Sequence, residues 1–309
     1  MQQRVPIFPP SLKHGDRIRI VCPARSVVLD EILPAAEWIR RQGFKVEYGD
    51  TIGKVSGQFG GTDEERAADI QNAIDDDGID AIWCARGGYG TARLLESLNL
   101  ELLMKRPKWI IGYSDITALH AALYKIGIVS IHAPMPLSIN QNLETSIAFG
   151  LLLSYLMGRN IPLEWDKSSF DREGKTTGRL FGGNLSVIYS LRGTPWDVNL
   201  TDSLLFIEDV DEYLYHIDRM CNNLSLGGYF KQIKGLIAGQ FTKMNDNTIP
   251  FGMSANERVQ RFASRSNVAV QCFNAPFGHV DYNLPILCGA QAELEVDKNK
   301  VTLKYHGRT

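Results

Sequence analysis

The fold of the first half of the chain is decided by residues 109–117, which read Trp-Ile-Ile-Gly-Tyr-Ser-Asp-Ile-Thr. An apolar run ends in Gly-Tyr-Ser and an amphipathic pattern starts at once, which predicts a strand over 109–112 and a helix over 115–125. A serine at such a turn, here Ser114, carries its hydroxyl above the sheet edge, with the N–H groups of a helix N-terminus behind it. This is where an acyl-transfer enzyme places its nucleophile, although Ile116 stands where a Gly-x-Ser-x-Gly elbow has its second glycine. A serine that only caps the helix is the alternative interpretation.

Strand-like and helix-like segments alternate throughout the first half. The predicted strands cover 16–23, 44–48, 80–85, 109–112 and 129–133, and the predicted helices 31–42, 62–75, 91–98 and 115–125. This alternation indicates a parallel sheet covered by helices, in which ligands bind at the carboxyl ends of the strands. Arg-Gly-Gly-Tyr-Gly at 86–90 and the turn at Ser114 both fall at such ends.

The second half of the chain has more β-structure. Strands are predicted over 203–207 and 235–239, a helix over 213–224 and a hairpin over 293–305. The expected fold class is therefore α/β, with an N-terminal parallel-sheet α/β domain and a C-terminal β-rich α/β domain. The expected boundaries are 1–157 for the first domain, 158–177 for a polar, turn-rich linker and 178–309 for the second domain.

Composition excludes several classes of protein. A length of 309 residues fits two domains, and a net charge of −2 without a basic run predicts no nucleic-acid or membrane partner. No apolar stretch is long enough to span a bilayer, and the first ten residues lack the apolar core of a signal peptide, so we expect a cytoplasmic protein. The five cysteines form no Cys-x-x-Cys pair, so neither a disulfide framework nor a metal site is predicted.

A serine nucleophile needs a base, and His279 has the most suitable surroundings for that role. It lies in the predicted loop 277–285, Phe-Gly-His-Val-Asp-Tyr-Asn-Leu-Pro, and loops on a rigid scaffold commonly carry catalytic side chains. A turn histidine bonded to the backbone is the alternative. The remaining histidines lie in polar terminal segments, in predicted helices or at a strand end, and suit the role less well: His14, His120, His132, His216 and His306.

The acid that orients such a base has a candidate in Glu208. The apolar run 204–207 leads directly into Glu-Asp-Val-Asp-Glu, and an acid at the end of a buried strand lies over the crevice. Alternatively, Asp209, Asp211 and Glu212 form the acidic first turn of the next helix. That interpretation explains Glu208 least well. Metal binding by this run is a further alternative that no histidine pair supports.

The glycine-rich loop at 86–90 presents free backbone N–H groups and permits close approach of a ligand. It lacks the Lys-Ser/Thr of a phosphate-binding loop and the spacing of a dinucleotide-binding motif. We therefore expect an oxyanion or substrate-backbone site there, with Arg86 available to pair with a substrate carboxylate. A nucleotide-binding domain is the weaker alternative.

Taken together, these motifs resemble the LD-carboxypeptidases, a family of serine peptidases that includes the muramoyltetrapeptide carboxypeptidases and the microcin C immunity peptidases. The resemblance runs from residue 15 to about residue 296, nearly the whole chain. Six blocks follow the order of the family: residues 15–24, 86–90, 112–117, 182–185 (Gly-Gly-Asn-Leu), 205–209 with Arg219, and 277–279 with 283–285.

The resemblance implies a role for each candidate residue. Ser114 matches the nucleophile, His279 the general base and Glu208 its orienting acid. The backbone N–H of Asp115 matches one oxyanion donor, and a glycine of the 86–90 loop the other, with Gly88 favoured over Gly87. The resemblance also implies an active site at the interface of the two domains, a homodimer, and no metal or organic cofactor.

The implied reaction is hydrolysis of the bond between an L-centre and a C-terminal D-amino acid. The usual substrate is the murein tetrapeptide, which loses D-alanine during cell-wall recycling. Two alternatives stay open. A microcin-type immunity peptidase would cleave an adenylate conjugate with help from an aromatic ring such as that of Trp83, Trp196 or Tyr89. A non-catalytic binder of cell-wall peptides would use Ser114 only as a helix cap.

Overall fold

The computed structural model describes residues 5–139 and 147–307. The chain forms two compact units, one of Met1–Asn160 with Leu284–Gly289 and one of Ile161–Asn283 with Ala290–Thr309. Leu284–Gly289 thus belongs to the first unit, whereas the sequence analysis assigned all of 178–309 to the second domain.

The strands follow one another along the whole chain. They are β1 (Arg17–Val21), β2 (Lys45–Tyr48), β3 (Ala81–Cys84), β4 (Trp109–Gly112), β5 (Ser130–His132), β6 (Leu163–Asp166), β7 (Gly174–Asn184), β8 (Ser203–Val210), β9 (Gly235–Thr242), β10 (Val270–Cys272), β11 (Ile286–Cys288), β12 (Gln291–Val296) and β13 (Lys300–His306).

Helices alternate with the strands of the first half and recur in the second. They are α1 (Leu29–Arg41), α2 (Asp63–Asp75), α3 (Glu101–Lys105), α4 (Thr117–Ile126), α5 (Ile147–Leu156), α6 (Leu185–Ser190), α7 (Leu214–Leu226), α8 (Tyr229–Gln232) and α9 (Ala255–Arg265). The helix predicted over 91–98 is present as a 3₁₀ helix, Thr91–Ser97.

The first unit contains the parallel sheet that the sequence predicts. Its six strands lie in the order β2-β1-β3-β4-β5-β11. All pairs from β2 to β5 are parallel, and β11 joins the edge antiparallel to β5. Every residue of β3 and β4 is buried, as expected for central strands of a covered parallel sheet.

The second unit contains a mixed sheet of seven strands in the order β10-β9-β8-β7-β12-β13-β6. The strands from β10 to β7 are parallel, whereas those from β7 to β6 pair antiparallel. The predicted terminal hairpin is present as β12 and β13. The α/β fold class is therefore confirmed.

Residues 158–177 are structured, although the sequence led us to expect a linker there. They include β6 and the first residues of β7. In the edge strand β6 and in residues 174–177 of β7, exposed positions alternate with more buried ones, because one face of an antiparallel sheet can meet water. The polar composition of this stretch reflects that exposed face.

Across the described residues, no helix has both the length and the apolar character needed to cross a membrane. The five cysteines are all free and buried, as expected of small core residues.

Candidate active site

Ser114 lies at a strained turn between β4 and α4. Tyr113 is extended, and Ser114 then adopts a left-handed conformation with φ of 63°. A 3₁₀ turn over Ser114–Ile116 follows, closed by a 3.3 Å hydrogen bond from the N–H of Ile116 to the carbonyl of Tyr113. A left-handed residue other than glycine costs about 1–2 kcal/mol, and such strain concentrates at functional sites. This left-handed conformation differs from the extended backbone of an ordinary helix N-cap.

Space for this turn comes from Gly112. A Cβ atom at residue 112 would lie 2.8 Å from Cγ1 of Ile116, too close for any real side chain. The absence of a side chain at Gly112 therefore allows the Ile116 side chain to pack against the end of β4. The side chain of Ile116 fills the space where the usual elbow motif has its second glycine.

The loop at 86–90 packs against the serine through Gly87. A Cβ atom at residue 87 would lie 2.9 Å from Cβ and 3.1 Å from Oγ of Ser114, and 3.4 Å from the backbone nitrogen of Asp115. Gly88 has φ of 115°, and a Cβ atom there would collide with the side chain of Arg25. Both glycines are thus required by the local geometry, and Gly87 is the one in contact with Ser114.

The side chain of Asp115 has a role that sequence reasoning missed. It is 3% exposed, and its Oδ2 accepts a 2.8 Å hydrogen bond from the N–H of Thr91. Burial raises the pKa of Asp115, against the opposing hydrogen bonds of Thr91 and Gly90 and the charge of Arg66. The carboxyl group thereby fastens the end of the glycine-rich loop beside Ser114. An acid directly after the serine was the only signal in the sequence.

Two other predicted residues of the first unit have structural partners. Nη1 of Arg86, a half-buried side chain, donates to the carbonyl of Ser26 over 3.1 Å. His120 is fully buried, lies 2.8 Å from Oγ of Ser130 through Nδ1, and donates through Nε2 to the carbonyl of Gly112 over 2.8 Å. Burial lowers the pKa of His120 to about 4, so it supports the serine turn as a neutral ring.

In the second unit, Glu208 and His279 form a close pair. Nδ1 of His279 lies 2.7 Å from Oε2 of Glu208, whose side chain is fully buried, whereas the imidazole is 20% exposed. Burial lowers the pKa of His279, but the hydrogen bond and charge of Glu208 outweigh it, so the pKa lies above its usual value of 6.5. Because a carboxylate only accepts, Nδ1–H donates to it and Nε2 keeps its lone pair.

The backbone around His279 is held at several points. Gly278, with φ of 113°, lets Glu208 approach, because a Cβ there would lie 3.0 Å from Cβ and Oε2 of Glu208. Its N–H donates to Oδ1 of the buried Asn283 over 2.9 Å. Oγ1 of Thr242 donates to the carbonyl of His279 over 3.3 Å. Asn283 and Thr242 are positioning residues whose roles the sequence did not reveal.

The interpretation of Asp209, Asp211 and Glu212 as the acidic first turn of a helix is wrong, because β8 extends to Val210 and α7 begins only at Leu214. Asp209 lies within β8, accepts hydrogen bonds from the Asn184 side chain and the Ser186 N–H, and has a pKa raised to about 7 by burial and the charge of Glu208. Glu212 precedes α7 and pairs with His216, with 2.5 Å between Oε2 and Nδ1. Nowhere in the described residues do histidine, cysteine and acidic side chains cluster in a way that would hold a metal ion.

A strained serine before a helix and a histidine–carboxylate pair are the components of a serine hydrolase. The family model of the LD-carboxypeptidase N-terminal domain matches residues 18–133, and that of the LD-carboxypeptidase C-terminal domain matches residues 177–294. The chain therefore belongs to the LD-carboxypeptidase family and is a carboxypeptidase, which sets the non-catalytic alternative aside.

Individual relatives agree with this assignment. The chain is 30% identical to a probable murein peptide carboxypeptidase of Bacillus subtilis, over 96% of this chain and 94% of that one. It is 27% identical to the microcin C7 self-immunity protein MccF of Escherichia coli, over 78% and 80% of the two chains. The crystal structure of muramoyltetrapeptide carboxypeptidase from Oxalobacter formigenes matches with a TM-score of 0.86 and 27% identity, over 94% of this chain and 99% of that chain.

Proposed function

We propose that this carboxypeptidase hydrolyses the L,D-peptide bond of murein tetrapeptide and releases the terminal D-alanine. Ser114 serves as nucleophile, His279 as general base and Glu208 as the acid that orients it. The observation that carries the proposal is the 2.7 Å contact between Nδ1 of His279 and a fully buried carboxylate oxygen of Glu208. It fixes the tautomer in which Nε2 accepts a proton.

The proposed reaction proceeds through an acyl-enzyme. Nε2 of His279 takes the proton of the Ser114 hydroxyl as Oγ attacks the scissile carbonyl. The imidazolium, stabilised by Glu208, then protonates the leaving amine, and D-alanine departs. His279 next deprotonates a water molecule, which attacks the ester carbonyl. The acyl–Oγ bond then breaks, the imidazolium returns its proton to Oγ of Ser114, and the shortened peptide leaves with a free carboxylate.

The developing oxyanion requires donors beside Ser114. We propose the backbone N–H of Asp115 in the first turn of the 3₁₀ segment and a second N–H from the glycine-rich loop, with Gly88 as donor or, alternatively, Gly87. The closeness of Gly87 to both groups supports this proposal, because a Cβ atom built at residue 87 would lie 3.1 Å from Oγ of Ser114 and 3.4 Å from the backbone nitrogen of Asp115. Losing one such donor typically costs about a hundredfold or more in turnover.

The choice of substrate follows the relatives. One is named as a murein peptide carboxypeptidase and another, of known structure, as a muramoyltetrapeptide carboxypeptidase. We further propose that the protein acts as a homodimer in the cytoplasm during murein recycling. Sedimentation analysis of the pure protein would show a dimer, whereas a monomer at micromolar concentration would contradict that part of the proposal.

Mass spectrometry of murein tetrapeptide and its all-L isomer tests the proposal. Wild-type protein should remove one D-alanine from the natural peptide only, and Ser114→Ala, shown to be folded by circular dichroism, should remove none. Absence of cleavage by folded wild-type protein would contradict the substrate. Cleavage that persists in Ser114→Ala would contradict the nucleophile.

Cleavage of an adenylate conjugate is the second candidate. Tyr89, in the glycine-rich loop, is 53% exposed, with its ring centroid 6.1 Å from that of Phe59, and offers a face for stacking on a base. Trp83 is excluded from that role because it is 1% exposed and donates to the carbonyl of Pro134. Release of the nucleotide from an aminoacyl-adenylate analogue, weakened by Tyr89→Ala, would favour this candidate.

A further inference from the structure

A carboxypeptidase must recognise the free carboxylate of its substrate as well as the scissile bond. In the proposed mechanism His279 protonates the leaving amine, and that nitrogen is attached to the Cα atom that bears the carboxylate. A cation that serves this carboxylate must therefore lie close to His279. Lysine and arginine are the residues that pair most strongly with carboxylates in a partly buried site.

Lys243, directly after β9, has an unusual backbone conformation. Its φ is 52°, in the left-handed region. The other described non-glycine residues with positive φ are aspartates and asparagines, which tolerate this region, and the predicted nucleophile: Asp202, Asp211, Asn267, Asn274 and Ser114. Lysine lacks the local side-chain hydrogen bonds that favour this region for aspartate and asparagine, so the conformation of Lys243 costs free energy, and such strained residues cluster at functional sites.

Hydrogen bonds fix the chain on both sides of Lys243. On one side, Thr242 donates through Oγ1 to the carbonyl of His279 and accepts from the N–H of Asp211 over 3.0 Å. On the other, the N–H of Asn245 donates to the carbonyl of Glu212 over 2.8 Å, and its Nδ2 donates to Oδ1 of Asp211 over 2.9 Å. The segment that carries Lys243 is thus tied directly to the His279 loop.

The ammonium group of Lys243 is available to a ligand. Its side chain is exposed, and none of the described acidic side chains forms an ion pair with it. Its positive charge opposes protonation of His279 and so acts to lower the pKa of that residue. The cation therefore lies within electrostatic reach of the imidazole.

We propose that Lys243 binds the carboxylate of the C-terminal D-amino acid and thereby restricts the enzyme to free carboxyl termini. The assignment rests on the proposed function. Arg86, the cation that the sequence suggested for this purpose, is already bonded to the carbonyl of Ser26. A cation held on a strained, fastened backbone is preorganised for one group of the substrate, which reduces the entropic cost of binding.

A comparison of two substrates tests this assignment. The substrates are murein tetrapeptide and the same peptide with its terminal carboxylate converted to an amide. Lys243→Asn removes the charge and suits the left-handed backbone, Lys243→Arg keeps the charge, and Lys304→Asn, at an exposed lysine of β13, is the matched control. We measure kcat/KM for each protein on each substrate.

Wild-type protein should prefer the free acid. Lys243→Asn should lose on the order of tenfold to a hundredfold on the acid and little on the amide, because only the acid loses a charged contact. Lys243→Arg should recover most of that loss, and Lys304→Asn should match wild-type protein on both substrates.

Several outcomes would overturn the assignment. Equal losses on acid and amide would show a structural role for Lys243, and no loss on either would show that it does not contact substrate. Loss of the acid preference in Arg86→Met but not in Lys243→Asn would assign the carboxylate to Arg86. If wild-type protein released no D-alanine, the proposed function would fail first and this assignment with it.

Discussion

Ser114 and His279, the two residues to which we assign proton exchange, are positioned by different physical means. Around Ser114 the backbone does the positioning: the serine is left-handed, and the glycines at 87 and 112 leave no room for a Cβ atom. Around His279 side chains do it, through a fully buried carboxylate and a buried amide. The position of Ser114 should therefore be disturbed by added side-chain atoms at the neighbouring glycines. The function of His279 should instead be disturbed by removal of the charge of its carboxylate partner.

The difference follows from what each residue must do. A nucleophile needs its Oγ and the neighbouring N–H groups in fixed relative positions, and backbone geometry fixes those most rigidly. A base needs a defined tautomer and a suitable pKa, which depend on the charge and burial of its partner. The comparison therefore predicts which kind of substitution harms each region.

The largest effect is expected from Glu208→Gln. Loss of the carboxylate should lower kcat/KM by about 10³- to 10⁴-fold, because the imidazolium loses its counter-charge and its fixed tautomer. Since Glu208 raises the pKa of His279, that pKa should fall in the variant. The acidic limb of the pH profile of kcat/KM should then move to lower pH, because the base works in its neutral form.

Glu212→Gln is the matched control for that experiment. Glu212 and His216 also form a carboxylate–imidazole pair, 2.5 Å apart, but both side chains are partly exposed. This variant should keep its activity and its pH profile. An equal loss in both variants would show that charge at Glu208 has no special role.

A smaller effect is expected from Gly87→Ala. The added Cβ atom would lie 2.9 Å from Cβ of Ser114, so the serine or the loop must shift. Turnover should fall about a hundredfold, through displacement of Oγ or of an oxyanion donor. Gly150→Ala controls for the substitution itself and should leave turnover intact, because among the described residues nothing beyond its own stretch of α5 lies within 4 Å of the new Cβ atom.

The smallest effect concerns stability. Because Ser114 has φ of 63°, Ser114→Gly should have a free energy of unfolding about 1 kcal/mol higher than Ser114→Ala. At Ser190, an exposed residue at the end of α6, the order should reverse, since alanine is favoured over glycine in a helix. Chemical denaturation of the four variants measures both differences. Equal stability of the two Ser114 variants would mean that the turn stores no strain.

Local patterns in the sequence were sufficient to predict much of the fold. The parallel strands and the position of Ser114 at the end of β4 follow from apolar runs and helix periodicity within short windows. Glu208 stood out because a buried run led into it, and it is indeed fully buried. The resemblance supplied the pairing with His279, which joins residues 71 positions apart and which no local pattern predicts.

Contacts between distant segments explain what the sequence did not reveal. The Asp115 carboxyl holds a residue 24 positions away, and Thr242 holds the His279 loop from 37 positions away. The strands within 158–177 were missed because their exposed faces have the composition of a loop. Lys243 gave no signal, since its backbone strain exists only in the folded chain.

The central claim is that Ser114 and His279 act on the same proton, and covalent labelling by a fluorophosphonate tests it most directly. Intact-mass measurement and peptide mapping should show a single adduct on Ser114 in wild-type protein and none in Ser114→Ala. The labelling rate should fall about a thousandfold or more in His279→Ala, which removes the base. An adduct on another residue, or a labelling rate unchanged in His279→Ala, would contradict the account.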